Sequence, residues 1–582
     1  MHQLAHASLL LCLVSTLPAA WSPPNEAQLA RLDRALARSE ARYDPAEQML
    51  RRPFSSPGYH TTLTGGFVHP TRDSLAHALQ LLDTGRPADL TRALAIIRRV
   101  VALQDTNPAS RTYGIWSWFL EEPLEKMSPP DWNWADFNGV ILLQIARDHR
   151  TRLPADLSRA VDDAILHACR AIKKRNVGPG YTNIAVMGAY VTLTAGEYYH
   201  LEEFKTYGFD RLKRFYDYTL ENGSFEEYNS PTYTVVALRE LSRLQAHVQN
   251  PEAQKMLEVL VRRAWEEIAK HFHAPTRQWA GPHSRAYSSL NRASTLALIQ
   301  RATAGRVDLG VDEPDVEELR LPLACPSELE HLFGPLRESR TVTETFIKRT
   351  NTVGTTYLHP QFALGTVNHD DLWNQRRPLL LHFGTATAPG YMQLRFLKNG
   401  YDFASAMFSG AQRESLVLGA VTLVTDGGDT HVSIDRLKNG KIRARDLRLR
   451  FEFGGPAADA VRIDADPKTA TAGIQAAGLR LNLGISCARF GSLPGELRSG
   501  GDGNRRWADV VFYAGEEKEF DLSALEEAIV GFVFSVGGHG RVQSRIEAGE
   551  LRMNCDELTV AARTKPATRK ERAEFTAKAP SR

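Results

Sequence analysis

From Glu26 to about Arg301 apolar residues recur at intervals of three and four, in stretches such as Leu75 to Leu82, Asp89 to Leu103, Leu157 to Lys173 and Glu252 to His271. That spacing puts one buried stripe on a helix, so the pattern predicts a succession of amphipathic helices. They are joined by segments rich in Pro, Gly and Asn, among them TNPAS, SPPDWNW, NVGPGYTN, ENGSFEEYNSP and WAGPHSR. Such joints are longer and more aromatic than plain turns, and loops carried on a rigid frame are where function concentrates. Between Val307 and Glu338 the chain is acidic and contains proline, and from Arg340 the period changes. TVTETFIKRT, GTTYLHPQFALGTV, SLVLGAVTLVTD and LRLRFEFGG are short β-branched runs between Gly and Asp turns, as antiparallel strands are. The expected organisation is a helical domain over 21–306, a linker over 307–339 and an antiparallel β-sheet or β-sandwich domain over 340–562. The basic tail 563–582 has no apolar stripe and is expected to be disordered.

With 582 residues the chain exceeds one ordinary core, and 43% hydrophobic with 24% charged residues marks a globular protein. A formal net charge of +3 excludes a strongly basic nucleic-acid binder while leaving room for a locally positive cleft. The start, MHQLAHASLLLCLVSTLPAAWS, has an apolar run from Leu9 to Leu17 followed by small residues. It reads as a signal peptide over residues 1–20, implying a secreted or periplasmic protein. No later stretch approaches membrane-spanning length, so no membrane partner is expected. Cys12 would leave with the signal. Cys169, Cys325, Cys487 and Cys555 lack the close pairing of a zinc site, and unpaired core thiols are preferred to bridges.

The segment Glu221 to Leu238 places Glu226, Glu227, Tyr228, Asn229 and Tyr233 just before a helix-like apolar run, with Ser230 or Thr232 as caps. The bland reading makes both tyrosines wall residues of a helix bundle. Other joints carry similar chemistry. Asn183 stands where a helix begins, His283 and Arg285 lie two apart, and SPPDWNWADFNG packs Trp132, Trp134 and Phe137 around Asn133, Asp136 and Asn138. Aromatic rings stack on pyranose faces and amides bond hydroxyls, so Trp132, Asn133, Trp134, Glu227 and Asn229 are candidate sugar contacts. Four such loops at helix-pair joints suggest one shared rim.

The run NGSFEEYNSPTY resembles the D-G-S…E…S-P-x-Y segment of the heparinase II/III and alginate lyase toroids, whose tyrosine transfers the proton; that residue maps onto Tyr233. Asn183, about fifty residues upstream, stands where those families grip the substrate carboxylate. DWNWADF and GPHSRAY are similar to loops of the more distant hyaluronate and chondroitin lyases. In that family, however, a histidine stands at Tyr228 and the catalytic tyrosine would fall on Ala237. His369, in VNHDDLWNQRRP, matches the histidine that heparinase-like lyases send from the sheet domain to the toroid; a second histidine two residues on is here Asp371. No cofactor is required. A structural zinc or calcium, with Asp429 and His431 as further ligands, is the metal the resemblance would allow.

The resemblance spans scattered motifs from Trp116 to Phe383. It implies an (α/α) toroid of helix pairs followed by an antiparallel β-sandwich, and β-elimination on an anionic, uronic-acid polysaccharide. Asn183, His283 or His369, and Arg285 would neutralise the uronate carboxylate. Tyr233 would be the acid, with the base left between Tyr233 itself and His369 and with Tyr228 supporting. A tyrosine base needs its pKa pulled down from about 10, and Arg285 with a histidine is the expected agent. Two other readings remain: a glycoside hydrolase on the same scaffold using Asp136 with Glu226 or Glu227, and a non-catalytic carbohydrate-binding protein. Whether chains are cut at their ends or internally depends on whether a loop or the sheet domain blocks one end of the cleft.

Overall fold

The computed structural model describes residues 22–313, 316–321 and 323–578; the expected signal segment, residues 1–20, lies outside them. Eleven described helices are α1 (Glu26–Glu40), α2 (Thr71–Asp83), α3 (Pro87–Val101), α4 (Trp134–Asp148), α5 (Ala155–Arg175), α6 (Thr182–Tyr198), α7 (Glu202–Asn222), α8 (Tyr233–His247), α9 (Pro251–Lys270), α10 (Ala293–Ala302) and α11 (Arg569–Lys578). Local signals set their ends. Asn25 and Gln28 form a capping box on α1, Asn250 caps α9 ahead of Pro251, and α7 stops at Gly223 with φ 94°. No described helix is long and apolar enough to cross a membrane.

The helices form two layers. α2, α4, α6 and α8 touch in turn as an inner row, while α3 meets α5 and α7 meets α9 outside them. Residue character explains the division, because α6 is buried on every face from Thr182 to Gly196, whereas α5 and α7 keep charged outer faces. Gly196 and Gly208 let α6 and α7 approach so closely that a Cβ at either would strike the other helix's backbone. All four inner helices begin at one rim. Trp134 opening α4 donates to Thr71 opening α2, Asn133 just before α4 reaches Tyr181 just before α6, and the Asn183 amide of α6 donates to Glu227 in the loop before α8.

The expected linker closes the opposite end. Arg320 bonds Asp83 and Asp148 at the last turns of α2 and α4, so the acidic stretch is packed as a plug and not merely a spacer.

From Arg340 all strand pairs are antiparallel and make two large sheets. One runs in the order Glu496–Asp502, Arg505–Asp521, Lys441–Gly454, Pro389–Lys398, Leu379–Gly384, Phe362–Val367, Thr352–His359 and Arg340–Ile347. The second runs from His369–Asp371 through Ala406–Arg413, Leu416–Leu423, Ala528–Val536 and Leu479–Phe490 to Thr471–Ala476 and Arg462–Asp466. Their facing sides share one core, with Phe451 of the first against Phe532 of the second at 5.0 Å between ring centroids. A three-stranded sheet, Gln543–Glu547, Glu550–Cys555 and Leu558–Arg563, buries Met553 and Val560 against the outer side of the second. Cys169, Cys325, Cys487 and Cys555 are unpaired.

The tail expected to be disordered is helical as α11 up to Lys578. Its first amide, at Arg569, donates to Asp426, and the Arg572 guanidinium reaches the Phe408 carbonyl and Ser409 hydroxyl. Those polar anchors replace the apolar stripe that the tail lacks.

The two halves are joined by backbone as well as side chains. His283 and Arg377 exchange paired backbone bonds, the Ala286 amide donates to the Gln375 carbonyl, and the Thr356 hydroxyl donates to the Gly281 carbonyl.

Candidate active site

Tyr233 is the first residue of α8, with its amide capped by the Ser230 hydroxyl, and that hydroxyl in turn donates to the Arg285 carbonyl. This links the α8 entrance to the Gly281–Tyr287 loop. The Tyr233 side chain is 8% exposed. Its hydroxyl lies 2.8 Å from that of Tyr287 and accepts a bond of 2.9 Å from the Arg285 guanidinium, which also stacks 4.0 Å over the Tyr233 ring.

Arg285 is the hub. It ion-pairs with buried Glu227 at 2.6 Å and donates twice to Gln375 Oε1, at 2.8 and 3.0 Å, from the sheet domain. Glu227 uses its other oxygen to accept the Asn183 amide at 3.1 Å. Asn183 is thereby fixed at the start of α6, with a buried side-chain amide oxygen that has no partner within the described residues. Tyr181, two residues earlier, is held by Asn133, whose oxygen accepts from Arg175. The Trp373 ring carries Arg285 on one side at 5.2 Å and touches His431 at 4.9 Å.

The electrostatics follow from burial. Tyr233 is pushed above its ordinary value because loss of solvent outweighs the lowering by Arg285, with Tyr287 adding to the rise. The expectation that Arg285 makes Tyr233 a low-pKa base is therefore corrected: the guanidinium charge is already committed to Glu227, and the phenol stays protonated. Glu227 is itself raised by burial against the pull of Arg285. His431 is lowered by burial, with Asp435 opposing and Arg285 reinforcing, so its imidazole is neutral at neutral pH.

Several expected site residues lie elsewhere. Tyr228 is fully buried between the domains, stacked on Phe346 at 4.3 Å and donating to Asp370 at 2.8 Å; it is a pin, because its phenol is used up in that bond. Asn229, at φ 40°, donates to the Ala280 and Pro282 carbonyls and accepts from Trp279, and it is fully buried, so both its N–H donors are used inside the fold and not on a sugar. His283 is buried with Nδ1 at 2.7 Å from the Asn229 carbonyl, and burial depresses its pKa strongly. It supports the loop. His369 bonds the Thr350 carbonyl, and its strand pairs with Ser409 at the sheet edge where α11 docks, so its imidazole is engaged there and not at the tyrosine pair. Glu227 holds Arg285 and does not line the cleft. Of the tryptophans, Trp134 bonds Thr71 and packs against Trp118, while Trp132 is half-buried and makes only a long bond to the Arg111 carbonyl.

Asp429 pairs with Lys398 at 3.1 Å, whereas His431 faces Tyr59 and Trp373. Among the described residues no three His, Cys, Asp or Glu side chains gather as metal ligands would. The carboxylates a hydrolase would need are buried or already paired: Asp136 is 2% exposed inside the helix packing and pushed up to about 7 by burial, Glu226 is held by Tyr218 and Arg349, and Glu227 by Arg285.

Sequence reasoning missed Tyr287 and the facing role of His431. Tyr287 stands two residues after Arg285 in the same aromatic loop, a signal that was readable. The 431 loop reaches the rim only through the folding of the second sheet, and nothing local marks it.

A sequence family described as a domain of unknown function (DUF8769) matches residues 32–311, the helical half. No curated protein sequence matches the chain. Among solved structures the chain is similar to heparinase III, at 9% identity over 93% of this chain and 91% of that one, with a TM-score of 0.42. It is also similar to a tyrosine-to-alanine mutant of the chondroitin AC lyase of Streptomyces coelicolor A3, at 13% identity over 94% and 86%, with a TM-score of 0.41.

Proposed function

We propose that this protein is a polysaccharide lyase that cleaves an anionic polysaccharide by β-elimination beside a 4-linked uronate. The observation that carries the reading is the Tyr233 phenol, kept protonated by burial while Arg285 donates to its oxygen. A phenol in that state is an acid whose conjugate base is stabilised the moment it forms. In the reaction the C5 proton passes to a base, the C4–O bond breaks, and a C4=C5 double bond forms in conjugation with the carboxyl group. The departing oxygen takes its proton from Tyr233, with Tyr287 relaying a replacement from solvent, and no water is consumed.

His431, neutral and on the sheet-domain wall, takes the base role in place of His369. Asn183, with its unmatched side-chain amide, turns its NH2 to the uronate carboxylate and the developing enolate. Tyr181, Asn133 and Trp373 line the same space. The hydrolase alternative would need two free carboxylates, whereas Asp136 is buried and Glu226 and Glu227 are bound to arginines. We place the protein outside the cytoplasm on the strength of the Leu9–Leu17 apolar run; sequencing the N-terminus of exported protein checks cleavage near Ala20.

The test is incubation with a panel of uronic-acid polysaccharides while following the ultraviolet absorbance of the new conjugated double bond. Rising absorbance on one substrate is the expected result. New reducing ends without that absorbance would establish hydrolysis instead, and neither signal, with sugar binding retained, would leave a binding protein.

A further inference from the structure

The N-terminal hairpin Arg52–Ser55 and Gly65–Val68 carries a nine-residue tip, residues 56–64. This tip is fixed to the toroid. The buried Glu122 carboxylate accepts the Thr61 hydroxyl at 2.6 Å and both the Thr62 amide and hydroxyl at 2.6 and 2.7 Å. The His60 amide donates to the Ser128 carbonyl, and its ring nitrogen lies 2.7 Å from the Pro129 carbonyl. From that anchorage the tip crosses to the other domain, where the Tyr59 ring meets the His431 ring at 5.1 Å.

The crossing completes a continuous wall. Trp118 touches His60 at 5.5 Å, His60 touches Tyr59 at 5.6 Å, Tyr59 meets His431, His431 meets Trp373, and Trp373 carries Arg285. Tyr59 is also within electrostatic range of Arg285 and Tyr287, so the strap passes beside the reacting groups and not at a distant rim. A polymer bound internally needs a groove open at both ends, and an anchored bridge from toroid to sheet domain removes one of them.

Resting on the lyase reading, we propose that residues 56–64 are a fixed end-stop that makes the site a pocket, so that the enzyme acts on the ends of polyuronate chains and releases short units. Glu122 makes the strap a wall; a mobile lid would not spend a buried carboxylate on three bonds to its own tip.

Two measurements test this. Binding of the Tyr233→Phe protein to narrow size fractions of a polyuronate, short and long, is followed by calorimetry. One protein per chain at every length is expected, and a stoichiometry that grows with chain length overturns the end-stop even if the lyase reading stands. With active enzyme, viscosity should hold while absorbance rises and the products keep one small size; an immediate fall in viscosity with a ladder of products overturns it. Tyr59→Ala and, separately, Glu122→Gln should move the wild-type pattern toward that ladder, and no movement in either folded variant counts against the strap. End binding without any absorbance would instead sink the lyase reading and leave the end-stop standing, while failure to bind any polyuronate would sink both.

Discussion

Replacing Tyr233 by Phe removes one hydroxyl and little else, which makes it the sharpest test of the proposed chemistry. A positioned general acid contributes about 10²–10⁴-fold, equivalent to ~3–5 kcal/mol of barrier at 1.36 kcal/mol per tenfold. The structural cost is small. Arg285 loses one acceptor but keeps Gln375 Oε1 at 2.8 Å and Glu227 at 2.6 Å, its stacking over the ring survives in Phe, and the 53%-exposed Tyr287 can turn to water. The expected loss of stability is therefore only ~1 kcal/mol, that of an ordinary hydrogen bond. In steady-state kinetics on the identified substrate kcat should fall by about 10²–10⁴-fold with KM nearly unchanged, and circular dichroism melts should shift little. A variant that retains kcat within about tenfold, or loses activity through KM alone, would refute Tyr233 as the acid.

Three further outcomes are expected. His431→Gln should lower kcat by about 10²-fold or more; because burial holds His431 below 6.5, the wild-type rate should be full above that pH and fall as pH drops through the lowered value. A variant that keeps both rate and acid limb would place the base elsewhere. Burial pushes Glu267 up from 4.5 to about 7 where it accepts the Asn229 amide and Thr234 hydroxyl. The stability tied to its proton is full below 4.5 and lost as pH rises through about 7, roughly 3 kcal/mol in all; denaturant titrations from pH 4 to 8 should show that slope in wild type and a flatter one in Glu267→Gln. Tyr228→Phe, which removes the bond to Asp370, should cost ~1–3 kcal/mol of stability while leaving kcat alone, and a large fall in kcat would return Tyr228 to the catalytic group.

What could be read beforehand depended on how local the physical cause is. The amphipathic helices, such as α3, α5 and α9, and half-buried strands such as Thr352–His359 follow from periods of three to four and of two that each segment carries within itself, whereas α6 from Thr182 to Gly196 and the strands Leu416–Leu423 and Ala528–Val536 are buried at every position and carry no such period. Asn183, Tyr233 and Arg285 could be singled out because they stand in joints whose residue types and spacing resemble a known motif; in the structure Glu227 and the Tyr233 hydroxyl bring them together. Side chains whose role is set by partners distant in sequence were not legible. Tyr228 is claimed by Phe346 and Asp370, Asn229 by three carbonyl and indole partners, and Arg320 by the ends of α2 and α4. His369 and His431 are both strand-domain histidines beside acids; only the pairing of His369 with Ser409, at one sheet edge, and the contact of His431 with Trp373 tell them apart.

The Arg285–Glu227 pair clarifies what the cluster is for. A buried ion pair is weak grounds for stability, since desolvation consumes much of the attraction. Here four of the five guanidinium N–H groups are assigned: one on Nη1 to Glu227, the two on Nη2 to the Tyr233 oxygen and Gln375, and Nε to Gln375. The one N–H left on Nη1 is too few for a bidentate grip on a carboxylate, so on the proposed lyase reading that task would fall to Asn183 and Arg285 would position the phenol. Its own orientation is divided between the domains, with Glu227 from the toroid and Gln375 and Trp373 from the sheet domain. On the proposed lyase reading the sheet domain would thus be part of the acid's machinery: without Gln375 the guanidinium would lose its outer anchor, and the oxygen of Tyr233 would lose the charge proposed to stabilise it after proton transfer.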